Sequence, residues 1–558
     1  MKANQISRIE HLYRRRIPVD KVVSVEVAQT CAELTFETRR QIGLLIDRQG
    51  RIQSVIIGND HELEIPHLSR SRSGLRLLRG VRLVHTHLKN QALTRDDLTD
   101  LALLRLDLIM AIGVSQEGAA RDVYVAHLLP QSTNGKSHRE LAPCSLYQFE
   151  LDCQNFIQSL ESECTRTNVA LHKGSQSSQA ILVSVSTEST AKRHEHLEEL
   201  RELVRASHID VVDAVVQRPQ DLHPKYVMGV GKLKEVIIQA LQAGAEWLIF
   251  DRDLTPGQVH GISELTELRV LDRTQVILDI FAQRAHSRIG KVQVELAQLR
   301  YRLPRLSQSN TAFSRLAGGI GSRGPGETKL ETDRRRARDR IRRLEKELET
   351  VSRGREQQRS MRDRNATPVI SLVGYTNAGK STLLNALTGS SEPTRDRVFE
   401  TLDTVSRRFY VHGRGEVIAT DTVGFIRQLP EGLVSAFQTT LHELEYATLL
   451  LHVVDASTPD PDRHIDAVEA ILSQLEFDQV PRLMVLNKCD LLPHEVVERL
   501  CHRYRAIAIS AMQKDTVVRV REAVSYMLNR LEREGGGTNK VPNLKRQGTA
   551  DSSVVTVW

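Results

Sequence analysis

Cysteine is scarce and dispersed. The chain has six in 558 residues, Cys31, Cys144, Cys153, Cys164, Cys489 and Cys501, and none stand at C-x-x-C spacing. This excludes a zinc ribbon and a disulfide framework and points to reduced thiols. Long apolar runs are also missing. Stretches such as Ala447–Val454 fall far short of the roughly 20 residues that span a bilayer, so no membrane span is expected. Met1–Arg16 is polar and basic, without an apolar core followed by a small-residue cleavage site, which leads to the expectation of a cytoplasmic protein.

What is present is a long, mildly basic chain, with formal net charge +7, 40% hydrophobic and 26% charged residues. At roughly 100 to 200 residues per domain, three or four units are expected, with monomer as the default state. Strand-like runs at Ile42–Ile46, Gln53–Ile57 and Val81–His85 precede a helical run from Asp96 to Leu108, which reads as a small α/β region. A polar loop, a helical run over Phe149–Cys164 and the Gly/Ser/Gln-rich segment Gly174–Gln179 follow. From Ala180 to Asp251, strand-like and helical runs alternate, the signature of a second α/β domain. Apolar residues then recur in steps of three and four at Val292, Leu296, Leu299 and Leu303, and again at Ala337, Ile341, Leu344, Leu348 and Val351, which predicts a helical hairpin. Its connecting segment, Ser307–Thr328, carries Gly318, Gly319, Gly321, Gly324 and Gly326 and favours neither helix nor strand.

The last third carries the chemistry. The apolar strand Val369–Val373 runs into Gly374, Tyr375, Thr376, Asn377, Ala378, Gly379, Lys380, Ser381 and Thr382, and then into the helical Leu383–Leu387. A strand, a loop of the form G-x-x-x-x-G-K-S and a helix together make a phosphate cradle. Backbone N–H groups and the helix dipole face the phosphates, Lys380 adds charge and Ser381 offers a magnesium ligand. A second strand delivers Asp421, Thr422, Val423 and Gly424; the acid is suited to hold magnesium through water and the Gly424 amide to sense a γ-phosphate. A third ends in Asn487, Lys488, Cys489 and Asp490, where Asp490 can accept guanine N1–H and the exocyclic amine. Ser510, Ala511 and Met512 are placed to close the base pocket. Between the first two motifs, Phe399, Glu400, Thr401, Leu402 and Asp403 form a candidate switch. Thr401 is favoured over Thr404 as the hydroxyl that completes magnesium coordination. The residue after Gly424 is Phe425 rather than a water-orienting glutamine, so slow intrinsic turnover and dependence on a partner are expected. The expectation is a GTP-hydrolysing enzyme using magnesium, with Lys380, Thr401, Asp421 and Gly424 at the reacting phosphate.

Gly318–Arg335 (GGIGSRGPGETKLETDRR), the phosphate loop, FETLD, DTVGFIRQLP and LLLHVVDAS together resemble the HflX family of ribosome-associated GTPases. YVMGVGKLKEV, LIFDRDLTP and VLDRTQVILDIFAQRAHSR are similar to that family's N-terminal domain. The resemblance covers about residues 180 to 533. It implies a cytoplasmic factor that binds the large (50S) ribosomal subunit, its RNA and proteins, with a role in ribosome splitting, rescue or biogenesis. The expected fold class is multidomain α/β, with a mainly parallel P-loop domain. The expected division is an extra N-terminal α/β region (1–130), a linker (131–179), an HflX-like α/β domain (180–285), the hairpin with its glycine-rich loop (286–365), the GTPase domain (366–533) and a disordered tail (534–558). Glu331–Arg364 holds thirteen Lys/Arg against eight Asp/Glu, densest at Arg334–Arg343, a basis for contact with RNA. In the extra region, His85 and His87, followed by Thr94, Asp96 and Asp97, are similar to the H-x-H…S-x-x-D arrangement of metal-dependent JAMM proteases, with the spacing off by one and Arg95 intervening. Histidines at i and i+2 on a strand point to one side, where they suit zinc, although satisfied surface histidines are the commoner meaning and the one expected.

Overall fold

The computed structural model describes residues 2–66, 78–133, 136–172, 177–305, 325–363, 367–389, 405–422, 424–426, 444 and 446–534. They fall into two compact units, Met1–Arg273 and Thr274–Trp558.

The first unit begins with α1 (Ala3–Arg14), α2 (Val25–Thr38), β1 (Ile42–Asp47), β2 (Ile52–Ile57), β3 (Val81–His87), α3 (Arg95–Leu103), β4 (Ile109–Val114), β5 (Ala120–Thr133), β6 (Lys136–Glu140), β7 (Cys144–Ser145) and α4 (Cys153–His172). The strands form one sheet in the order β2-β1-β3-β4-β5-β6, with β7 on β5. Only the β3–β4 pair is parallel, and α3 makes the crossover between them. Both strands are buried along their whole length, as central strands covered on two faces must be. Side chains alternate: Leu44, Ile46, Val84, Met110 and Ile112 share one core with α2, while Leu45, Leu83, Ile109 and Ala111 share another with Leu101 of α3. His85 and His87 have the parity of Leu83 and lie on the α3 face. The helix expected over Asp96–Leu108 stops at Leu103, because Arg105 takes the left-handed conformation (φ 54°) and redirects the chain into β4.

Four parallel strands follow in the same unit: β8 (Ser178–Val185), β9 (Ile209–Gln217), β10 (Trp247–Phe250) and β11 (Arg269–Asp272), in the order β11-β10-β8-β9. Their connections are α5 (Thr190–Ala206), α6 (Val230–Gln242) and α7 (Pro256–Leu265). Ile181, Val183, Leu233, Ile237, Leu248 and Phe250 fill the core, and a Thr255/Gln258 capping box with Pro256 at the first turn fixes the start of α7.

In the second unit, α8 (Arg273–Arg284) precedes α9 (Arg288–Arg302) and the long α10 (Pro325–Asp363). The last two pair as an antiparallel hairpin: Val292, Leu296 and Leu344 form a narrow apolar seam, flanked by Leu299, Ile341 and Leu348. Arg288 pairs with Glu347, and Arg340 grips Glu295 through two 2.7 Å contacts. Most of the glycine-rich connection, 306–324, lies outside the described residues, as does the tail from 535.

The nucleotide domain is a six-stranded sheet built from β12 (Val369–Val373), α11 (Lys380–Thr388), β13 (Val405–Val411), β14 (Gly415–Asp421), β15 (Leu449–Asp455), α12 (Pro461–Gln474), β16 (Arg482–Asn487), α13 (His494–Tyr504), β17 (Ile507–Ala508) and α14 (Lys514–Glu534). The strand order is β13-β14-β12-β15-β16-β17, parallel except for the β13–β14 pair. The expected α/β multidomain class, with a mainly parallel sheet in the nucleotide domain, is what the structure has.

Candidate functional site

Loops at the carboxyl ends of β12, β14, β15 and β16 carry the sequence motifs, the usual place for a ligand on an open parallel sheet. Gly374 leaves β12 at φ 155°, and a Cβ there would lie 2.2 Å from the Val453 carbonyl of the neighbouring strand. Gly379 has φ 86°, and a Cβ there would meet Asn487 Nδ2 at 2.2 Å. Both positions therefore require glycine. Asn377, between them, is itself left-handed at φ 62°. The loop winds back on itself and presents the first turn of α11.

Lys380 is buried at the head of α11, and its Nζ donates to the carbonyls of Gly374 (3.0 Å) and Tyr375 (2.8 Å). Burial lowers its pKa to about 8, against the pull of nearby Asp421. Ser381 Oγ donates to Asp421 Oδ2 at 2.6 Å, bringing together the hydroxyl and the carboxylate that the sequence placed forty residues apart. These are hard oxygen donors suited to magnesium. Thr422 turns inward, its hydroxyl donating to the Leu372 carbonyl at 2.6 Å. Gly424 packs on the loop so closely that a Cβ would stand 2.9 Å from Thr376 Cγ2 and 3.2 Å from Lys380 Nζ.

The phosphate loop and the segment after Asp421 are joined through main-chain atoms. The Phe425 N–H donates to the Gly374 carbonyl at 3.1 Å, and the Thr376 N–H donates to the Phe425 carbonyl at 2.7 Å. The Phe425 ring is buried.

On the base side, Asn487 is a buried tie. Its Nδ2 donates to the Ala378 carbonyl at 2.9 Å, and its Oδ1 accepts the Ala511 N–H at 2.9 Å. Lys488, left-handed at φ 61°, reaches Asp455 Oδ2 at 2.8 Å. Cys489 Sγ lies on the Leu486 carbonyl, and its backbone N–H donates to Ile509. Asp490 is exposed at the tip of the turn, open to a base. Ser510 is buried and exchanges hydrogen bonds with Thr516 Oγ1, whereas Met512 is 81% exposed. With the Ala511 amide engaged by Asn487, Ala511 serves as a strut in this structure.

Thus Gly374–Ser381, Asp421, Thr422, Gly424, Asn487–Asp490 and Ser510–Met512 are gathered along one edge of one sheet. Phe399, Glu400, Thr401, Leu402, Asp403, the alternative Thr404, and Val423 lie outside the described residues. Sequence reasoning passed over three contributors: Asp455, which holds Lys488; Thr516, which holds Ser510; and His464, whose ring stacks on Tyr375 at 4.0 Å and 4°. Asp455 could have been found from its place at the end of an apolar strand. His464, on α12, has no local signal.

Known proteins resemble several of these parts of the chain. Family models described as GTP-binding GTPase N-terminal, GTP-binding GTPase Middle Region and 50S ribosome-binding GTPase match residues 194–282, 284–362 and 369–488 in turn. The GTPase HflX of Caldanaerobacter subterraneus subsp. tengcongensis is 46% identical over 349 residues, which cover 62% of this chain and 80% of the relative. The chain belongs to the HflX family of GTPases. Another member, GTPase HflX of Escherichia coli K12, is 46% identical over 314 residues, covering 56% of this chain and 74% of the relative. A solved GTP-binding protein from Sulfolobus solfataricus, in complex with GDP, is 26% identical, with 64% of this chain and all of that one covered at a TM-score of 0.35. HflX membership makes the chain a GTP-hydrolysing enzyme. Among the described residues no helix is long and apolar enough to cross a membrane.

A second cluster lies in the first unit. His85 and His87 are not surface residues: each is 1% exposed, on central strand β3 and beneath the first turn of α3. The expectation of surface histidines fails because β3 is covered on both faces, which its mixed composition, with Arg82, His85, Thr86 and His87, had concealed.

Proposed function

We propose that this enzyme uses GTP hydrolysis to time its residence on the large ribosomal subunit, with a role in splitting, rescue or biogenesis of ribosomes. The observation that carries the reading is the main-chain union of Gly374 and Thr376 with Phe425. Whatever the γ-phosphate does to the loop bearing Gly424 is felt at the phosphate loop, and the reverse holds as well.

The proposed site assigns Gly374–Ser381 to the phosphates, with Lys380 as the charge on the transferring group. Asn487, Lys488, Cys489 and Asp490, with Ser510, Ala511 and Met512, frame guanine. Ser381, with Thr401, would hold magnesium, and Asp421 would orient that shell; the bound ion supplies neutralising charge to the phosphate oxygens. Thr401, Asp421 and Gly424 form the γ-phosphate sensor, within the candidate switch Phe399–Asp403 and the loop containing Thr422 and Val423. Phe425 lacks the means to orient a water, so the proposed enzyme relies on its partner for rapid turnover.

For that partner, the support is the ribosome-binding description of the family model over residues 369–488 and the basic hairpin. On α10, Arg335, Arg336, Arg338, Arg342 and Arg343 are exposed, a cationic stripe suited to RNA phosphates. We place the protein in the cytoplasm, as a monomer, with the division 1–130, 131–179, 180–285, 286–365, 366–533 and 534–558.

The test is GTP turnover by the full chain with and without purified large subunits, alongside Lys380→Ala. Stimulation of roughly tenfold or more, equivalent to about 1.4 kcal/mol in the barrier, supports the reading. Unchanged turnover leaves a GTPase whose partner is not the large subunit.

A further inference from the structure

We infer that His85, His87 and Asp97 form a zinc site with one open coordination position, in a part of the chain outside the matched family models. The three side chains come from the end of β3 and the first turn of α3, and one ligand atom from each lies within 4.8 Å of the others. The closest separations are tighter. His85 Nε2 and His87 Nε2 are 3.0 Å apart, His85 Nε2 and Asp97 Oδ1 3.2 Å, and His87 Nε2 and Asp97 Oδ2 3.4 Å. Ligands about 2.0–2.1 Å from a tetrahedral zinc are separated by about 3.3 Å, close to the separation of the two imidazole nitrogens and of each from the Asp97 oxygen turned towards it, Oδ1 for His85 and Oδ2 for His87.

Counting protons favours a cation over a closed hydrogen-bonded cluster. His87 Nδ1 lies 3.1 Å from the Gln91 carbonyl, which can only accept, so the ring carries its proton there and turns a lone pair inward at Nε2. Asp97 also contributes lone pairs. With Asp97 Oδ2 already engaged by Thr94, a single proton on His85 Nε2 is left to serve both His87 Nε2 and Asp97 Oδ1. A divalent ion takes the inward lone pair of each of the three residues at once. The surroundings are arranged as ligand supports usually are: Gln91 orients His87, while the Thr94 N–H and hydroxyl both donate to Asp97 Oδ2 at 2.7 Å. Two imidazoles and a carboxylate suit zinc better than magnesium or calcium, and three protein ligands leave the fourth position to water or a substrate atom.

The experiment uses the full chain, stripped with a chelator, exchanged into chelator-free buffer and titrated with zinc against a chromophoric competitor. The wild type is expected to take up one zinc at this site, with affinity falling at least about 100-fold in Asp97→Asn and roughly tenfold in Thr94→Ala. GTP turnover, which belongs to the other unit, should stay unchanged and so report an intact preparation. X-ray absorption at the zinc edge of the wild type reads the ligands without any variant. It should show about four light-atom neighbours with two imidazoles. Failure of the wild type to bind zinc tighter than about 1 µM, equal binding by Asp97→Asn, or a spectrum without imidazole would each overturn the assignment.

Discussion

Phe425 and Thr376 are joined by a 2.7 Å backbone hydrogen bond that ties the phosphate loop to the segment following Asp421, with the Phe425 ring buried beneath it. The ring acts as an anchor, and the position cannot be read as a damaged water-orienting residue. Phe425→Ala should cost about 3–5 kcal/mol of local stability and lower affinity for GTP and GDP together. Phe425→Gln should not raise intrinsic turnover, because the buried amide would have no route to a water. Single-turnover hydrolysis and thermal melting of both variants check this, and faster hydrolysis in Phe425→Gln would refute it.

Lys380, its pKa held near 8 by burial, should make nucleotide binding a proton-uptake reaction in mildly alkaline solution. Phosphate restores the ordinary, higher lysine value. Above about pH 8, affinity for GDP should therefore fall by up to tenfold per pH unit, and below it the dependence should vanish. Calorimetry at pH 8.5 in buffers of different ionisation heat measures the uptake directly. No proton taken up would mean that the lysine is fully charged before the nucleotide arrives.

His452, on β15, is buried and neutral. Desolvation first, then the positive charges of Arg482 and Lys380, lower its pKa to about 3. A base whose folded pKa is depressed stabilises the fold above its unfolded value, near 6.5, and loses that contribution as pH falls from there towards 3. The loss should reach about 2 kcal/mol by pH 5, at 1.36 kcal/mol per unit. Hydrogen exchange of Leu449–Asp455 between pH 7 and 5, corrected for intrinsic rates, should show it in the wild type and not in His452→Leu.

Asn487→Ala strands the Ala378 carbonyl and the Ala511 N–H, each at a cost of about 1–3 kcal/mol when buried. Affinity for a fluorescent GDP should drop roughly tenfold to a hundredfold. A variant that binds within twofold of wild type would show that the phosphate and base loops hold their places independently.

Leu344 is fully buried in a seam only a few side chains wide, so Leu344→Ala should destabilise the hairpin by about 2–5 kcal/mol. Proteolysis of α10 should quicken while GTP turnover without subunits stays as it was. If subunit-stimulated turnover also stays as it was, the hairpin is not the contact.

The parts most legible in the sequence were those where one local rule dominates. Val369–Val373 reads directly as a strand because four apolar residues around Ser371 run into a glycine, and the hairpin seam follows from its three–four spacing. Asn487 was legible as a guanine-motif residue, one that braces base and loop; its two partners, 109 and 24 residues away, belong to the fold and not to any local pattern. The overlong helix at 96–108 shows the opposite limit. Leu104, Leu106 and Leu108 continue an apolar pattern, but Arg105 turns left-handed and burial of Asp107 against Arg48 settles the path of the chain. His85 and His87 stand on an interior strand whose polar letters resemble those of an edge.

Helix α3 has two allegiances. It roofs the first sheet through Leu101, yet Leu103 packs into the core of the parallel sheet and Arg95 pairs with Glu235 of α6. Two sheets that share a helix cannot lose it one at a time. Residues up to Arg273 should therefore unfold in a single cooperative step, and an ion held by Asp97 at the tip of that helix would be felt as heat resistance in a domain it never touches.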